Sequence, residues 1–254
     1  MRKWIFQSVT TAVVAGLVAI AVTGIVTPAR AGNGSDTGRI ARIPLPGMIT
    51  TIAGTGTMGF DTDDHIAATA QLAHPMAVAV NARRKPYIVD TLNHRVQTVS
   101  ATGRISTIIG NAESGFTGRI KGNPQPHHAS FSSPGGIALR KGDAFYIADT
   151  FNNRVLEVTQ QRYLRTVAGT GTYGYNGDGF PSQVATLSEP HGLALDKKDN
   201  LFIADSGNHR IRKVNAVTGE ITTIAGGNEA GSTGDGGDAP KALLNNPRGI
   251  AVDV

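Results

Sequence analysis

The chain has 254 residues, of which 32 are glycine, 12 are proline and none is cysteine. Because 40% of the residues are hydrophobic and glycine has no three-residue period, collagen and wholesale disorder are excluded, and the lack of cysteine excludes disulfides and thiolate metal sites. Residues 1–31 hold 3 of the 24 basic residues and none of the 19 acidic ones, so the net charge falls from +5 for the whole chain to +2 for the remainder. That remainder is too weakly basic to predict a nucleic-acid-binding protein.

Residues 1–31 have the layout of a secretory signal peptide. A positively charged start precedes an uncharged apolar run over 10–26, and Ala-Arg-Ala at 29–31 is a small-x-small cleavage site. We expect cleavage after this site, a flexible linker over 32–48, and a secreted or periplasmic mature chain without a stable membrane span. The alternative is an uncleaved anchor, for which a run of this length lies at the short limit.

The rest of the chain is a repeat. The block Thr-Ile-Ala-Gly at 51–54 returns three times with small changes, and successive glycines of these blocks are 56, 59 and 57 residues apart. Two further blocks recur in the same order. One is Ala-x-Leu-x-x-Pro, with Phe131 in place of one leucine, and the other is aromatic-Ile-(Ala/Val)-Asp-(Thr/Ser)-x-Asn-x-Arg. A fixed order at nearly fixed spacing indicates repeated structural units of one kind.

Each unit contains four strand signals separated by turn residues. The first is an unbroken apolar run that predicts a strand buried on both faces, and we expect burial to fall from this strand to the fourth. Four antiparallel strands per unit predict an all-β fold built from β-propeller blades, with a β-helix as the alternative. The predicted complete blades are residues 75–110, 134–169 and 190–226, with partial strands at 49–54 and 247–254.

The propeller domain, residues 49–254, is expected to be incomplete. Three full blades and two partial ends are too few to close a ring, since propellers have about four to eight blades. We therefore expect the sequence to be a fragment, with further blades after residue 254. The total number of blades and the oligomeric state stay open.

The repeated blocks resemble a known family. The pattern Pro-x-Gly-(Ile/Leu)-Ala-(Val/Leu), followed by aromatic-Ile-Ala-Asp-(Thr/Ser)-x-Asn-x-Arg-(Val/Ile), closely resembles the NHL-repeat propellers. The glycine-rich segment at 168–179 resembles the long-loop version common in exported bacterial NHL proteins. The resemblance covers residues 49–254 and implies a propeller fold. It implies little about function, because the family includes scaffolds, sensors and lyases.

The aspartate, asparagine and arginine of the repeated block are predicted to be structural. The aspartate ends the second strand, the asparagine follows three residues later in the turn, and the arginine opens the third strand, so their side chains can bond turn amides and form an ion pair. One copy in every blade favours architecture over chemistry. These residues are Asp90, Asn93, Arg95, Asp149, Asn152, Arg154, Asp205, Asn208 and Arg210.

Long links join the units at 55–74, 111–133, 170–189 and 227–246. They are expected to lie with the turns between second and third strands on one face, called the top face here, and to end in a short helical turn whose Ala and Leu pack on the blade. Acidic residues in the links suggest calcium, but turn formation is the favoured interpretation, because no link has the spaced acids and closing glutamate of an EF-hand loop. These acids are Asp61, Asp63, Asp64, Asp178, Asp235 and Asp238.

His191 follows Pro190 at the mouth of an inner strand. Peptidylglycine amidating lyases resemble this fold and carry zinc-binding histidines at this position in several blades, where the present chain has Met76, Gly135, His191 and Arg248. One histidine out of four does not make a three-ligand site. No nucleophile motif appears either. A metal-dependent lyase or hydrolase is therefore the alternative function; no cofactor is predicted, and calcium or zinc stays open.

The favoured function is an exported scaffold that binds a protein, peptide or glycan partner through its top-face links and central mouth. RNA binding is disfavoured by the export signal and by the charge of the remaining chain. No catalytic residue is predicted, and the identity of the partner stays open. The candidate contact residues are His191, Arg248, Tyr173, Tyr175 and Asp178.

Overall fold

The computed structural model describes residues 12–14, 17–19, 49–116, 129–227 and 229–253. The predicted cleavage site and linker lie outside the described residues. Within the predicted apolar run, two short strands, β1 (Ala12–Val14) and β2 (Leu17–Ala19), pair antiparallel. Among the described residues, no helix is long and apolar enough to cross a membrane.

Three antiparallel sheets follow, and each contains the four strands that the sequence predicts, in chain order from one edge to the other. The first consists of β3 (Pro75–Val80), β4 (Pro86–Asp90), β5 (Arg95–Val99) and β6 (Ile105–Ile109). The second consists of β7 (Gly136–Leu139), β8 (Phe145–Asp149), β9 (Arg154–Val158) and β10 (Leu164–Ala168). The third consists of β11 (Phe180–Pro181), β12 (Pro190–Leu195), β13 (Leu201–Asp205), β14 (Arg210–Val214) and β15 (Glu220–Ala225), with β11 paired to the outer edge of β15. The sheets are β-propeller blades, called blades 1, 2 and 3 here.

Short 3-10 helices lie at two kinds of position. One kind follows the second strand of each blade, at Thr91–Asn93, Thr150–Asn152 and Ser206–Asn208. The other kind lies late in the links, at Ala67–Thr69, Ser182–Val184 and Ala239–Lys241, where the sequence predicts a helical turn. In the link to blade 3, Ala185 and Leu187 follow this turn and are completely buried. Their side chains pack in the apolar cluster shared by blades 2 and 3, which holds the link in place.

The inner strands β3, β7 and β12 lie beside one another, since each contacts the inner strand of the neighbouring blade. They are less buried than the middle strands. Every residue of β4, β5, β8 and β9 is buried, whereas every residue of β3 is exposed or half-buried. The predicted fall of burial from the first strand to the fourth is therefore wrong. An inner strand has a sheet neighbour on one side only, whereas a middle strand has strands on both sides and the adjacent blade over its face.

Apolar side chains between the sheets hold neighbouring blades together. One cluster joins Tyr87 and Val89 of blade 1 to Phe145 and Ile147 of blade 2, and all four side chains are fully buried. The rings of Tyr87 and Phe145 meet edge to face with their centroids 5.7 Å apart. A second cluster joins blades 2 and 3 in the same way. Each large side chain buried in this way contributes about 1.5–3 kcal/mol, so the seams between blades carry much of the stability.

The glycine after the outer strand of each blade is required by close backbone packing. Gly169 has a φ of +89°, and a Cβ on it would lie only 2.4 Å from the carbonyl oxygen of Asn153. Gly110 and Gly226 have the same environment in blades 1 and 3. A side chain at these positions would push the end of the outer strand away from the turn that opens the third strand.

Residues 49–54 and 247–253, which the sequence predicts as partial strands, contain no strand. A strand exists through hydrogen bonds to a neighbouring strand, and neither segment pairs with a described one. The second segment nevertheless lies where the inner strand of a following blade would lie. A Cβ on Gly192 would be 2.4 Å from the carbonyl oxygen of Arg248, and a Cβ on Gly136 would be 2.0 Å from that of His191.

Candidate functional site

The repeated Asp, Asn and Arg of blade 1 form a buried cluster at the end of β4. The Oδ2 atom of Asp90 accepts hydrogen bonds from Nδ2 of Asn93 (2.8 Å) and from Nε of Arg95 (2.9 Å). Its Oδ1 atom accepts one from the backbone N–H of Ala73 in the preceding link, at 2.7 Å. Asn93 also donates to the carbonyl of Gly59, at 2.8 Å. The cluster thus joins two strands, their turn and the link.

Blade 2 repeats this cluster around Asp149. The carboxylate accepts hydrogen bonds from Asn152 (2.9 Å), from Nε of Arg154 (2.8 Å) and from the backbone N–H of Ser132 (2.7 Å). Asn152 donates to the carbonyl of Gly115, at 2.7 Å. The bonds are those of blade 1, atom for atom.

Blade 3 repeats the cluster around Asp205 with an additional cation. Asp205 accepts hydrogen bonds from Asn208 (2.8 Å) and from the backbone N–H of Ser188 (2.7 Å). Arg212, two residues beyond the motif arginine, also reaches this carboxylate, at 3.4 Å. The motif arginine of this blade, Arg210, donates to the carbonyl of Gly227 at the start of the next link.

The three carboxyls of the motif are enclosed by the protein. Burial raises the pKa of Asp90, Asp149 and Asp205, to about 6 for Asp205, while the surrounding hydrogen-bond donors act in the opposite direction. All three residues are 0% exposed. A carboxylate enclosed in this way cannot reach a substrate in solvent, so the motif holds the fold.

In three of the four links, an aromatic ring lies over the motif arginine of the following blade. Phe60 lies over Arg95 with 4.2 Å between the ring centroid and Cζ, and Phe116 lies over Arg154 at 3.7 Å. Tyr175 takes the same position over Arg210, at 4.0 Å. The two phenylalanines are not among the residues predicted from the sequence. The recurring signal is a Gly-aromatic pair, at 59–60, 115–116 and 174–175.

Neighbouring blades are also joined by polar bonds near the top face. Oγ1 of Thr150 in blade 2 donates to the carbonyl of Pro190 in blade 3, at 2.8 Å. Ser206 of blade 3 donates in the same way to the carbonyl of Pro247, at 2.6 Å. In blades 2 and 3, the hydroxyl residue after the motif aspartate therefore holds the proline that opens the next repeat.

Two acids of the links bond to outer strands. Oδ1 of Asp63 accepts hydrogen bonds from the N and Oγ1 atoms of Thr107, both at 2.7 Å. Oδ1 of Asp178 accepts from Nη2 of Arg212 (2.9 Å) and from Oγ1 of Thr223 (3.0 Å). Across the part of the chain that the structure describes, no three His, Asp or Glu side chains gather where they could hold a metal ion.

The central mouth contains His191 and Arg248. His191 is half-buried at the start of β12, and its Nδ1 atom would be 2.5 Å from a Cβ on Gly135 of blade 2. Burial lowers the pKa of His191, and the positive charge of Arg248 lowers it further. The mouth therefore offers a neutral imidazole beside an exposed guanidinium.

The structure divides the five candidate contact residues into two groups. His191, Arg248 and Tyr173 present surface to solvent, and Tyr173 is 64% exposed. Tyr175, which is 40% exposed, and Asp178 are exposed as well, but each also contacts an arginine of blade 3. Tyr173 lies at the tip of its link, where it forms a bridge to the late part of the same link. A second residue at the equivalent position, Met58, is 68% exposed and was missed from the sequence.

Comparison with known proteins agrees with this architecture. Residues 187–214, which include β12, β13 and β14, match the family model of the NHL repeat. The chain is 29% identical over 216 residues to Protein SUPPRESSOR OF QUENCHING 1, chloroplastic, from Arabidopsis thaliana, with 80% of this chain and 20% of the relative covered. It is 27% identical over 148 residues to human NHL repeat-containing protein 2, with 52% of this chain and 19% of the relative covered. The chain thus spans about a fifth of the length of these two relatives.

A solved structure of an auxiliary nutrient binding protein from Bacteroides thetaiotaomicron is 24% identical, with a TM-score of 0.46, and covers 57% of this chain and 36% of that one. The family assignment does not depend on it. It depends on the matched repeat, on the homologous NHL-repeat protein, and on three blades that carry the same hydrogen bond between the motif Asn and Asp. This chain therefore carries the NHL repeat and folds into blades of a β-propeller.

Proposed function

We propose that this protein is an exported NHL-repeat scaffold of the long-loop bacterial type, which binds a protein, peptide or glycan partner through its top face. The observation that carries the proposal is a contrast between two sets of residues. The repeated Asp, Asn and Arg are bonded inside the fold, whereas the residues that differ between blades stand at the mouth and on the link tips. Exposed, variable side chains on loops that a rigid scaffold holds in place are suited to recognition.

The proposed contact surface centres on His191, Arg248 and Tyr173. Tyrosine and arginine are enriched among residues that dominate binding energy, because each offers a large contact area together with hydrogen-bond donors. His191 adds a neutral ring with donor and acceptor nitrogens. Tyr175 and Asp178 contribute by holding the link that carries Tyr173.

Export is the second part of the proposal, and it has its own test. Expression of the full chain in its native host should give a mature protein that begins at Gly32, in the secreted or periplasmic fraction. Mass spectrometry of the intact mature protein measures this directly. Retention of residues 1–31 would instead support the anchor.

Capture experiments test the binding role. The protein is immobilised and exposed to the native exported fraction, and retained molecules are quantified for the wild type and for His191→Ala and Tyr173→Ala. Both variants should lose capture and keep the wild-type thermal melt. The matched control is Lys197→Ala with Lys198→Ala in the turn between β12 and β13, at the opposite end of blade 3. Capture that survives both top-face changes would show that the wrong face has been chosen.

Elemental analysis of the purified protein separates this proposal from the metal-dependent lyase. A stoichiometric zinc or calcium ion, together with activity that a chelator abolishes, would favour the lyase. Metal-free protein that still captures its partner would favour the scaffold.

A further inference from the structure

A cleft of about 260 Å³ opens on the top face of blade 1, away from the mouth residues. Phe60, Thr62 and Asp63 of the first link form one wall, and Asn111 and Ala112 of the second link form another. Thr107 of β6 lies between them. The cleft is smaller than the usual site of a drug-sized ligand, which occupies about 300–1,000 Å³. Its size suits a single ring.

The equivalent position of blade 3 is filled. In blade 3, Arg212 stands where blade 1 has the shorter Gln97, and its guanidinium reaches the carbonyl of Gly177 (2.8 Å) and the side chain of Asp178 (2.9 Å). In blade 2, the residues that follow Phe116 lie outside the described part of the chain, so blade 3 provides the comparison. Blade 1 thus has an opening where blade 3 has an arginine side chain. A difference between otherwise repeated units points to a role specific to one of them.

Ala112 is part of this difference. Its φ is +66°, a conformation that favours glycine, and the corresponding residues of the other links are Gly56 and Gly171, with φ of +82° and +91°. The chain therefore holds an alanine in the left-handed region beside the cleft. Strained backbone of this kind is retained where the surrounding structure requires it.

The lining supports one class of ligand. Phe60 is 48% exposed, and its ring lies against Arg95, so its other side is available for stacking. The hydroxyl of Thr62 contacts His65, and the amide of Asn111 donates one hydrogen bond to Ser130. A hydroxyl has one donor and two acceptor sites, and an amide nitrogen has two donors, so both side chains keep capacity for a ligand.

The charged groups around the cleft indicate which net charge the ligand carries. The guanidinium of Arg95 is bonded to Asp90 and to the carbonyl of Asp61, so it is committed to the framework. The carboxylate of Asp63 lies in the wall and disfavours an anion. The buried positive charge of Arg95 behind the ring disfavours a cation. A neutral ring with one apolar face and several hydroxyl groups satisfies all of these conditions.

We propose that this cleft binds a neutral sugar ring, one hexopyranose unit, which stacks on Phe60 and exchanges hydrogen bonds with Thr62, Thr107 and Asn111. The inference rests on the proposed binding role of the top face, but it concerns a site separate from His191 and Arg248. It predicts that the protein recognises the end or an exposed residue of a neutral glycan.

The test is a calorimetric titration of the full chain with glucose, galactose, mannose and N-acetylglucosamine, and with glucuronate and glucosamine as charged counterparts. At least one neutral sugar should bind, and the matching charged sugars should bind at least tenfold more weakly. Phe60→Ala should weaken binding at least tenfold. The matched control is Phe116→Ala, which removes the equivalent ring from blade 2 and should leave the affinity unchanged.

Two further variants keep the test decisive if Phe60→Ala unfolds blade 1. Thr62→Val and Asn111→Ala change the cleft without removing the ring, and each should weaken binding several-fold. The melt should be unchanged for Thr62→Val and slightly lowered for Asn111→Ala, which also loses its hydrogen bonds to Ser130 and Glu113. Failure of every neutral sugar at millimolar concentration, or tighter binding of glucuronate, would overturn the inference. The double variant His191→Ala, Arg248→Ala should keep sugar binding. Sugar binding without partner capture would therefore refute only the proposed partner binding at the mouth. Partner capture without sugar binding would refute only the proposed sugar site in the cleft.

Discussion

The Nδ1 atom of His94 accepts a hydrogen bond from the backbone N–H of Ser133, 3.0 Å away, across the seam between blades 1 and 2. The next seam has the same bond, from Glu189 to Oδ1 of Asn153, at 3.0 Å. His209 accepts from Asn246 at 3.1 Å. Each acceptor residue has a φ near +50°, in the left-handed region. The turn therefore needs a residue that tolerates this conformation and carries a side-chain acceptor, which His and Asn both satisfy.

This bond makes the first seam sensitive to pH. Burial lowers the pKa of His94, against the opposing effect of Asp149 and Asp90. The folded state therefore favours the neutral imidazole, and protonation of Nδ1 removes the acceptor. The contribution of His94 to stability is complete above the ordinary histidine pKa of about 6.5. It is lost as the pH falls from there through the lowered folded pKa.

His94→Asn should keep the seam and remove its pH dependence, since Asn153 occupies the equivalent position in blade 2. Denaturant unfolding between pH 7.5 and 5 measures the free energy of unfolding for the wild type and the variant. The difference between the two curves isolates His94 from the buried aspartates, whose raised pKa values act with the opposite sign. Parallel curves across this range would contradict the assignment.

Asp149→Ala should destabilise the protein strongly. It removes the carboxylate that holds Arg154 and the backbone N–H of Ser132, and it leaves a buried cation without its counter-ion, which costs about 3–5 kcal/mol. The matched control is Asp238→Ala, which breaks an exposed ion pair with Lys241 and should cost less than about 1 kcal/mol. Equal effects of the two changes on urea unfolding would refute the framework role.

Phe116→Ala should lower the free energy of unfolding by about 1–2 kcal/mol, because its ring shields the Arg154 guanidinium. Phe151→Ala is the control. Phe151 belongs to the same blade, is 57% exposed against 58% for Phe116, and stacks on no arginine among the described residues. Thermal melts of both variants make the comparison, and a larger loss for Phe151→Ala would count against the ring–arginine contact.

Thr150→Val should weaken the seam between blades 2 and 3. The change leaves the carbonyl of Pro190 without its donor and should cost about 1–3 kcal/mol. Thr91→Val is the control in blade 1, since the hydroxyl of Thr91 makes only a 3.5 Å contact with the carbonyl of Val89. Faster amide exchange in β12 of the Thr150 variant, relative to the control, would locate the effect at the seam.

Much of the fold could be predicted from the sequence, because each blade is built by local signals that recur. The four strands of each blade lie within the predicted ranges 75–110, 134–169 and 190–226, and only the added strand β11 of the third sheet lies outside them. Burial along the inner strands could not be predicted from their apolar runs. It depends on what lies beside β3, β7 and β12 in space, which no local pattern records.

Only part of the candidate site could be predicted from the sequence. Tyr175 and Asp178 look like surface ligands in a glycine-rich link, but their partners Arg210 and Arg212 lie more than 30 residues away in the chain. The cleft at Phe60 could not be predicted from the sequence either, because two links and an outer strand that are distant in the chain meet only after folding. Contacts of this range follow from the arrangement of blades and not from any single segment.

Binding of the partner at the top face can be measured by hydrogen–deuterium exchange of the captured complex. If the top face is the binding surface, the bound partner should slow amide exchange at the start of β12 around His191, in the link tip at Tyr173, and in the segment at Arg248. Exchange in the opposite turns, at 81–85 and 196–200, should stay unchanged. Protection confined to those opposite turns, with unaltered exchange at the mouth, would contradict binding at the top face.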